Sequence, residues 1–363
     1  MYDKNLHILG IETSCDETSA SVVRGDGTIL SNLVLSQLDE HRAFGGVVPE
    51  IAARAHLDYL DTLIKGAMDD AGLEFAALDG VAATAGPGLI GGVMVGMVAG
   101  KAIASAHNIS FLGINHLEGH ALTPRLTDQI EFPYLLLLIS GGHTQILVVE
   151  DVGRYKRWGT TLDDAAGECF DKSAKMMGLP YPGGPHLQKI AESCADPAKA
   201  IKRFPLPSPM KGQKNCDFSF SGLKTAVRTH IEALPEGSLK REDVADLACA
   251  FQIKMGEILQ DRCTSALKRF LKEYSPKEAV FVISGGVAAN SQIRVALETL
   301  CARNDTRFYA PPLKLCQDNA AMIAWAGVER YNLGIRDHLN FKARPRWPLD
   351  ENAEPKLGAG VKA

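Results

Sequence analysis

The stretch LHILGIETSCDETSASVV, residues 6–23, decides the fold class of this chain. An apolar run meets a short acidic and hydroxyl-rich turn and then alternates back into SASVV, a pattern that predicts a β-hairpin. A second stretch with the same order of features, LLLLISGGHTQILVV at residues 135–149, has Ser-Gly-Gly at its turn. Two such hairpins, about a third of the chain apart, predict two related lobes. The alternative is a coincidence between two unrelated hairpins.

Four further stretches predict helices between and after these hairpins. Strands that alternate with helices predict an α/β fold with mixed or parallel sheets. The four are a helix over residues 49–72 that begins at Pro49 and ends at Gly72, strand–glycine turn–helix units over 81–106 and 279–300, and a long amphipathic helix over 243–271. Residues 180–220, rich in Pro, Gly, Lys and Ser, predict an irregular insertion.

Composition limits the class of protein. A length of 363 residues favours about two domains, and 46% hydrophobic with 23% charged residues is ordinary for a globular protein. The net charge of −4 provides no global basic field, so nucleic-acid binding would need a local basic patch or charges from a partner. None of the eight cysteines stands at CxxC spacing, which indicates reduced thiols in a cytoplasm, and no signal or transit peptide is expected.

The uncharged residues 80–100 contain seven glycines and Pro87, which predicts a strand, a turn and a helix, each too short to cross a membrane.

The motif HLEGH places His116 and His120 four residues apart, a spacing that puts both imidazoles on one face of a helix and suits one metal ion. In the metalloprotease pattern a glutamate directly follows the first histidine, but Leu117 stands there and Glu118 comes one position later. Asp318 is a candidate third ligand. The alternatives are that the histidines are cap or surface residues and that Asp318 caps the helix that follows it.

Glycine motifs predict a phosphate site more readily than a dinucleotide fold. GPGLIG at 86–91 matches the dinucleotide pattern, but the required acidic residue is missing about 20 positions on. Gly88, Gly92, Gly96 and Gly100 instead form a bare helix face for close packing, within the chain or with a partner. Ser-Gly-Gly follows an apolar run twice, at 140–142 and 284–286, which favours a clamp for phosphate and adenosine over two simple tight turns.

The region 168–185 couples Asp171 to a Pro-Gly-Gly-Pro turn, and in a cleft this carboxylate could accept hydrogen bonds from ribose. The alternative is a solvated helix face. Cys169 lies among acidic neighbours that disfavour a thiolate, so a buried thiol is expected rather than a nucleophile.

In order, the motifs resemble those of the universal tRNA threonylcarbamoyladenosine synthases, the Kae1/Qri7/TsaD family, formerly called O-sialoglycoprotein endopeptidases. The resemblance covers about residues 6–349, and its short linkers look like the bacterial TsaD type. The motifs are IETSCDET, GGVVPE, TAGPGL, HLEGH, SGGHTQ, FDKSAK, YPGGP, DFSFSGLKT, SGGVAAN and RPRWPL.

The resemblance implies an actin-like ATPase (ASKHA) fold of two α/β lobes around a nucleotide cleft. The first lobe would comprise residues 1–130 and about 318–349, the second 131–317 with the 180–220 insertion, and 350–363 would be a flexible tail. The implied activity is transfer of threonylcarbamoyl from threonylcarbamoyl-AMP to N6 of the adenosine 3′ to the anticodon, in tRNAs that read codons beginning with adenine. An ATP-dependent kinase or ATPase of the same fold is the alternative.

The resemblance also implies site residues. His116, His120 and Asp318 would bind one divalent metal, with iron favoured over zinc. The adenylate would contact Leu138, Ile139, Ser140, Gly141, Gly142, Asp171, Gly184 and Asn290. Some relatives have an acidic residue where this chain has Gln188, and Glu12 and Asp16 are candidates to orient water or the metal.

The implied partners are tRNA, a TsaB-type heterodimer partner, a TsaE-type ATPase and a TsaC-type enzyme that supplies the adenylate. Because the chain is acidic overall, tRNA affinity must be local or shared with a partner. Candidate basic positions are Lys199, Lys202, Arg203, Lys211, Lys214 and the segment FKARPRW at 341–347.

Overall fold

A computed structural model describes residues 3–356, and the end of the tail predicted over 350–363 therefore lies outside the described residues. The first five strands form one sheet in the order β3-β2-β1-β4-β5. β1 pairs antiparallel with β2 and parallel with β4, and β4 is parallel to β5. The strands are β1 His7–Glu12, β2 Glu17–Arg24, β3 Ile29–Ser36, β4 Gly80–Gly86 and β5 Ser110–Asn115.

The next five strands form a second sheet in the order β10-β9-β6-β7-β8. β6 pairs antiparallel with β7 and parallel with β9. The strands are β6 Tyr134–Ile139, β7 Thr144–Asp151, β8 Arg154–Thr160, β9 Val280–Ser284 and β10 Arg307–Tyr309. Read from the other edge, this order is that of the first sheet with each strand number raised by five. The predicted repeat is therefore confirmed, and the two hairpins are equivalent elements.

Twelve α-helices accompany the sheets within residues 3–356. They are α1 Leu38–Arg42, α2 Pro49–Ala71, α3 Ile90–His107, α4 His116–Asp128, α5 Ala166–Met176, α6 Gly183–Ala191, α7 Pro197–Arg203, α8 Ser221–Glu232, α9 Arg241–Tyr274, α10 Ser291–Ala302, α11 Leu313–Cys316 and α12 Ala320–Asn332. The predicted ends of α2 are confirmed: Pro49 is its first residue, and Gly72 ends it in the left-handed conformation with φ of 65°.

The prediction that residues 180–220 are irregular is wrong for the first half of that range, where α6 and α7 lie. Asp196 caps α7 by accepting a hydrogen bond from the Lys199 amide at 3.0 Å, and Pro197 fits the first helical position. These local helix-start signals outweigh the Pro- and Gly-rich composition of the region. Residues 204–220 contain neither helix nor strand, apart from one bridge between Phe218 and Thr161.

The chain divides into two compact units. The first comprises Met1–Glu131, Val152–Arg154 and Pro311–Glu351, and the second comprises Phe132–Asp151, Tyr155–Ala310 and Asn352–Ala363. In the first unit α12 lies directly on β1, because a Cβ at Gly10 would stand 2.2 Å from the Ala320 carbonyl oxygen. The residues just before α12 are thereby brought beside the end of β1, where the acidic turn begins.

One helix of the described chain, Ile90–His107, is long and apolar enough to cross a membrane by length and composition, so the expectation that each element of this region is too short was wrong for the helix. A third of it is buried inside the protein. Its glycine face packs on the β1–β2 turn. A Cβ at Gly92 would lie 2.4 Å from the Thr13 carbonyl oxygen, and one at Gly88 would lie 2.6 Å from that of Ser14. The glycine face predicted from the sequence therefore serves close packing within the chain.

Candidate functional site

The histidine pair lies at the start of α4, directly after β5. Nε2 of His120 is 3.0 Å from Oδ1 of Asp318, and Nε2 of His116 is 3.4 Å from the same oxygen. The two rings meet edge to face with centroids 4.9 Å apart, and one ligand atom from each residue lies within 4.8 Å of the others. The spacing in HLEGH and the distant aspartate thus form one cluster of three donors.

Asp318 does not cap α12, contrary to the alternative considered from the sequence. Asn319 occupies the cap position, and its side-chain oxygen accepts from the Met322 amide at 3.0 Å. An asparagine one residue nearer the helix satisfies the free amide, so the Asp318 carboxylate is left for the histidines.

A buried carboxylate orients His116 from behind. Glu12 Oε2 lies 2.9 Å from Nδ1 of His116, and Glu12 also accepts from the Thr84 hydroxyl at 2.6 Å and the Ser14 amide at 2.5 Å. Because an ionised carboxylate accepts only, Nδ1 of His116 donates to Glu12, and Nε2 is the nitrogen that faces Asp318. This is the arrangement that fixes a metal-binding histidine.

Burial lowers the pKa of His116, but the Asp318 and Glu12 carboxylates outweigh burial and hold it well above its ordinary value. Burial raises the pKa of Glu17 well above its usual range, and the charges of Asp318 and Asp16 add to that effect. The acidic turn and Asp318 therefore concentrate negative charge that a bound cation would compensate.

The donor set fits a divalent metal. Metal–nitrogen and metal–oxygen bonds of about 2.0–2.2 Å place neighbouring donors about 3 Å apart, close to the 3.0 and 3.4 Å separations from Asp318. Glu118 has a different task, since its carboxylate pairs with Arg330 at 2.5 Å and joins α4 to α12. The glutamate that suggested a protease is thus occupied in holding the helix.

In the second unit, the two Ser-Gly-Gly turns lie side by side. Leu138 of β6 pairs with Ser284 of β9 in parallel register, so both turns follow the carboxyl ends of neighbouring strands, where ligands bind in open α/β sheets. A Cβ at Gly141 or Gly142 would meet no atom within 4 Å, which leaves this backbone open to a ligand. Gly285, in contrast, has φ of 97° and a Cβ there would lie 2.3 Å from the Ile139 carbonyl oxygen, so the second turn needs glycine for its own shape.

The other residues implied as adenylate contacts are also in this unit, and they differ in burial and in their hydrogen bonds. The side chains of Leu138 and Ile139 are fully buried in the sheet. Asp171 accepts from the Gly183 amide at 2.7 Å, which holds the Pro-Gly-Gly-Pro turn against α5, and Gly184 beside it is open on its Cβ side. Asn290 caps α10 and donates to Gln252 Oε1 at 2.9 Å.

Comparison with known proteins identifies the family. The sequence model of TsaD, described as tRNA N6-adenosine threonylcarbamoyltransferase, matches residues 28–325. Proteins of that name from Chelativorans sp. strain BNC1 and Paramagnetospirillum magneticum strain AMB-1 are similar to this chain. They are 58% and 59% identical to it, over 97% and 95% of this chain and 98% of each relative. The chain belongs to the TsaD family. The family implies a divalent metal, a nucleotide-derived substrate and tRNA as the modified substrate.

The fold of this TsaD-family chain is the actin-like ATPase fold that its sequence predicted. HypF from T. kodakarensis matches 92% of the chain and 48% of its own length, with a TM-score of 0.56 at 13% identity. A full-length HypF described as phosphate- and nucleotide-bound matches with the same TM-score. At such low identity these likenesses show the fold alone. The kinase or ATPase alternative is not favoured, because the relatives that match along the whole chain are named as transferases.

Two features of the TsaD-family site escaped sequence reasoning. Arg125 of α4 pairs with the fully buried Glu329 of α12 at 2.6 Å, a second link beside that of Glu118. Asn115 caps α4 through its Oδ1 and donates through Nδ2 to the Trp347 carbonyl oxygen at 3.1 Å, so the RPRWPL motif is tied to the histidine helix. The available signal was an asparagine directly before HLEGH. Cys169 is buried as predicted, and burial raises its pKa to about 12.

Proposed function

We propose that this chain transfers the threonylcarbamoyl group from threonylcarbamoyl-AMP to N6 of adenosine 37 in tRNAs that read codons beginning with adenine, and releases AMP. The observation that carries the proposal is the His116, His120 and Asp318 cluster in a chain 58% identical to named transferases of this kind. In the reaction, the N6 nitrogen forms a bond to the carbamoyl carbon and loses one proton. The bond from that carbon to the phosphate oxygen of AMP breaks.

His116, His120 and Asp318 would hold the metal, which we propose to be iron(2+) rather than zinc. When bound there, the metal would supply Lewis acidity toward the threonylcarbamoyl group. Glu12 would keep His116 in the tautomer that presents Nε2, because it accepts from Nδ1 at 2.9 Å.

In the second unit, the backbone amides of Gly141 and Gly142 would donate to the phosphate or to developing negative charge. Ser140 would shape this turn, because its amide donates to the His143 carbonyl oxygen at 2.8 Å. The open Cβ side of both glycines supports this role, since a ligand can approach the backbone. Leu138 and Ile139 would contribute through their backbone, because their side chains are buried. Asp171, Gly184 and Asn290 complete the proposed contacts with the adenylate.

A TsaB-type protein is the proposed heterodimer partner, with a TsaE-type ATPase and a TsaC-type enzyme that makes the adenylate. An apolar stripe on α3 supports a protein partner: Ile90, Met94 and Val98 recur every fourth residue and are 48–56% exposed. Leu57 of α2 is 67% exposed, one turn from Ala53, which packs on Gly91 of α3. The opposite face of α3 is packed on its own chain, which favours a protein partner over a membrane. We place the reaction in the cytoplasm, as all eight cysteines are free thiols.

The transfer is tested directly with purified components. The chain is incubated with unmodified tRNA, threonylcarbamoyl-AMP and the three bacterial partner proteins, and nucleosides from the digested tRNA are measured by mass spectrometry. We expect threonylcarbamoyladenosine and an equal amount of AMP. Absence of product with partners verified as active would overturn the proposal. Elemental analysis of protein purified without added metal tests the iron assignment, and bound zinc alone would refute it.

A further inference from the structure

The segment from α7 to Asn215 carries an unusual charge pattern. Residues 197–214 contain five cations and no Asp or Glu, in a chain whose net charge is −4. The cations are Lys199, Lys202, Arg203, Lys211 and Lys214. All five are exposed.

Contacts along this segment show how it lies on α9. At one end Arg203 pairs with Asp243 at 2.5 Å and with Asp246 at 3.1 Å. Farther along, the Ser208 hydroxyl accepts from Lys254 at 3.3 Å, and then the Gly212 amide donates to Asp261 at 3.4 Å.

These contacts advance along the segment and along α9 in the same direction. Asp243 and Asp261 are eighteen residues apart, which is five helical turns or about 27 Å along one face of the helix. The segment from Arg203 to Gly212 runs beside that length of α9, and its far part forms two turns, with the Lys211 amide donating to the Ser208 carbonyl oxygen at 3.4 Å and the Gln213 amide to that of Met210 at 3.1 Å. The segment is therefore a strap laid along the face of α9.

The far end of the strap is anchored by a buried cation. Arg262 is 1% exposed and donates to the carbonyl oxygens of Gln213 and Asn215, each at 3.1 Å. Because a buried guanidinium that lost these acceptors would be costly, the backbone around Lys211 and Lys214 is held in place.

The acidic groups beneath the strap are already used by inner cations. These ion pairs join Arg203 to Asp243 and Asp246, Lys254 to Glu257, and Arg262 to Asp261. Asp196 at the start of α7 is occupied in capping that helix.

The four outer lysines have no such compensation. Lys199, Lys202, Lys211 and Lys214 have no ion-pair partner among residues 3–356. We call these four the lysine track.

We infer that the lysine track binds the sugar–phosphate backbone of tRNA, an inference that rests on the proposed function. A nucleic-acid strand carries one charge per about 3.4 Å of rise, so lysines spread beside about 27 Å of α9 can meet several phosphates. A membrane surface fits less well, because such segments carry large apolar side chains for insertion. Here Phe204 and Leu206 are buried, and Ile201 is only 37% exposed.

The test measures tRNA affinity of the complex with its partner proteins between about 50 and 200 mM salt. Two double variants remove charge from the track, Lys199→Gln with Lys202→Gln and Lys211→Gln with Lys214→Gln. Each should weaken binding and flatten the slope of log affinity against log salt by about 2, close to 1 per lysine. The matched control, Lys268→Gln with Lys272→Gln, removes two exposed lysines near the C-terminal end of α9 and should leave the slope unchanged. Lys211→Arg with Lys214→Arg keeps the charge and should keep the slope.

The outcomes separate this inference from the proposed function. If the unaltered complex binds no tRNA, the proposed function fails with it. If the unaltered complex binds tRNA but the track variants match the control, the inference alone is overturned. Binding to vesicles that contain anionic lipid is measured with the same variants. If the track variants lose vesicle binding while their tRNA binding is unchanged, the inference is also overturned, in favour of a membrane surface. Unfolding curves that match the unaltered chain show that the variants fold.

Discussion

The β1–β2 turn and the β6–β7 turn occupy equivalent places in the two sheets but are built in opposite ways. The first, Thr13–Asp16, is buried or nearly so and pressed against α3, with Gly88 and Gly92 in direct contact with its carbonyl oxygens. The second contains Gly141 and Gly142, and no atom lies within 4 Å of the Cβ position of either. The first repeat thus holds Glu12, at the end of β1, in a fixed place beside His116, a proposed metal ligand. The second leaves its turn open on the Cβ side of both glycines.

The proposed roles divide two tasks between the halves of a duplicated fold. A metal site needs ligands held within narrow limits, which close packing provides. An anion site made from backbone amides needs room for approach, which glycine provides.

Replacing a proposed metal ligand should have the largest effect. His120→Ala removes one of two imidazoles, so bound metal should disappear and transfer should fall by about a hundredfold or more. Elemental analysis and product formation would be measured on the same preparation. His107→Ala, at the end of α3, is the control and should change neither. Full activity in a metal-free His120→Ala protein would exclude a metal role in transfer.

Glu12→Gln tests the carboxylate that contacts Nδ1 of His116, without changing a proposed metal ligand. The amide can donate to Nδ1 of His116 and so favour the wrong tautomer, and metal affinity should fall about 10- to 100-fold. Titration with the metal, followed by competition with a chelator, measures this affinity. Thr84→Val removes one bond to the same carboxylate and should give a smaller loss. Equal metal affinity in Glu12→Gln and the unaltered chain would show that Glu12 has a structural role only.

A matched pair of glycine substitutions compares the two turns directly. Gly92→Ala places a Cβ 2.4 Å from the Thr13 carbonyl oxygen and should lower the free energy of unfolding by about 1–3 kcal/mol. Gly141→Ala has open space and should change stability by less than about 0.5 kcal/mol, yet raise KM for the adenylate. Denaturant unfolding and steady-state kinetics measure the two effects. If Gly141→Ala is the more destabilising substitution, the contrast between a closely packed β1–β2 turn and an open β6–β7 turn is wrong.

Sequence patterns predicted the elements and one distant contact, that of Asp318 with the two histidines, but missed other contacts between distant residues. The hairpins, the α2 ends and the His116/His120 spacing follow from local periodicity and caps, which one sequence displays. The bond between Glu12 and His116 joins residues 104 positions apart, and nothing local distinguishes Glu12 from its acidic neighbours. The sequence offered Asp318 as a cap of α12, and that alternative was wrong, because Asn319, whose side chain also suits the position, caps the helix instead.

The smallest predicted effect concerns the residues that follow β8 in the open-turn unit. Asp164 pairs with Lys172 at 2.7 Å and with Lys224 at 2.6 Å. Although burial raises the pKa of Asp164, the two lysines outweigh it and hold the pKa below its usual value. Because the carboxylate is favoured in the folded state, its contribution is present above the unfolded pKa of about 3.9 and is lost as the pH falls below that value.

Asp164→Asn should therefore lower the free energy of unfolding by about 1 kcal/mol at neutral pH, since both lysines are partly exposed and screened by solvent. The difference from the unaltered chain should shrink as the pH falls below about 4, where the unaltered carboxylate also becomes protonated. Denaturant unfolding across this pH range measures it, and Asp39→Asn, in an exposed pair with Arg42, should show almost no difference at any pH. A difference that stays constant with pH would mean that Asp164 stabilises this unit by its shape and hydrogen bonds rather than by its charge.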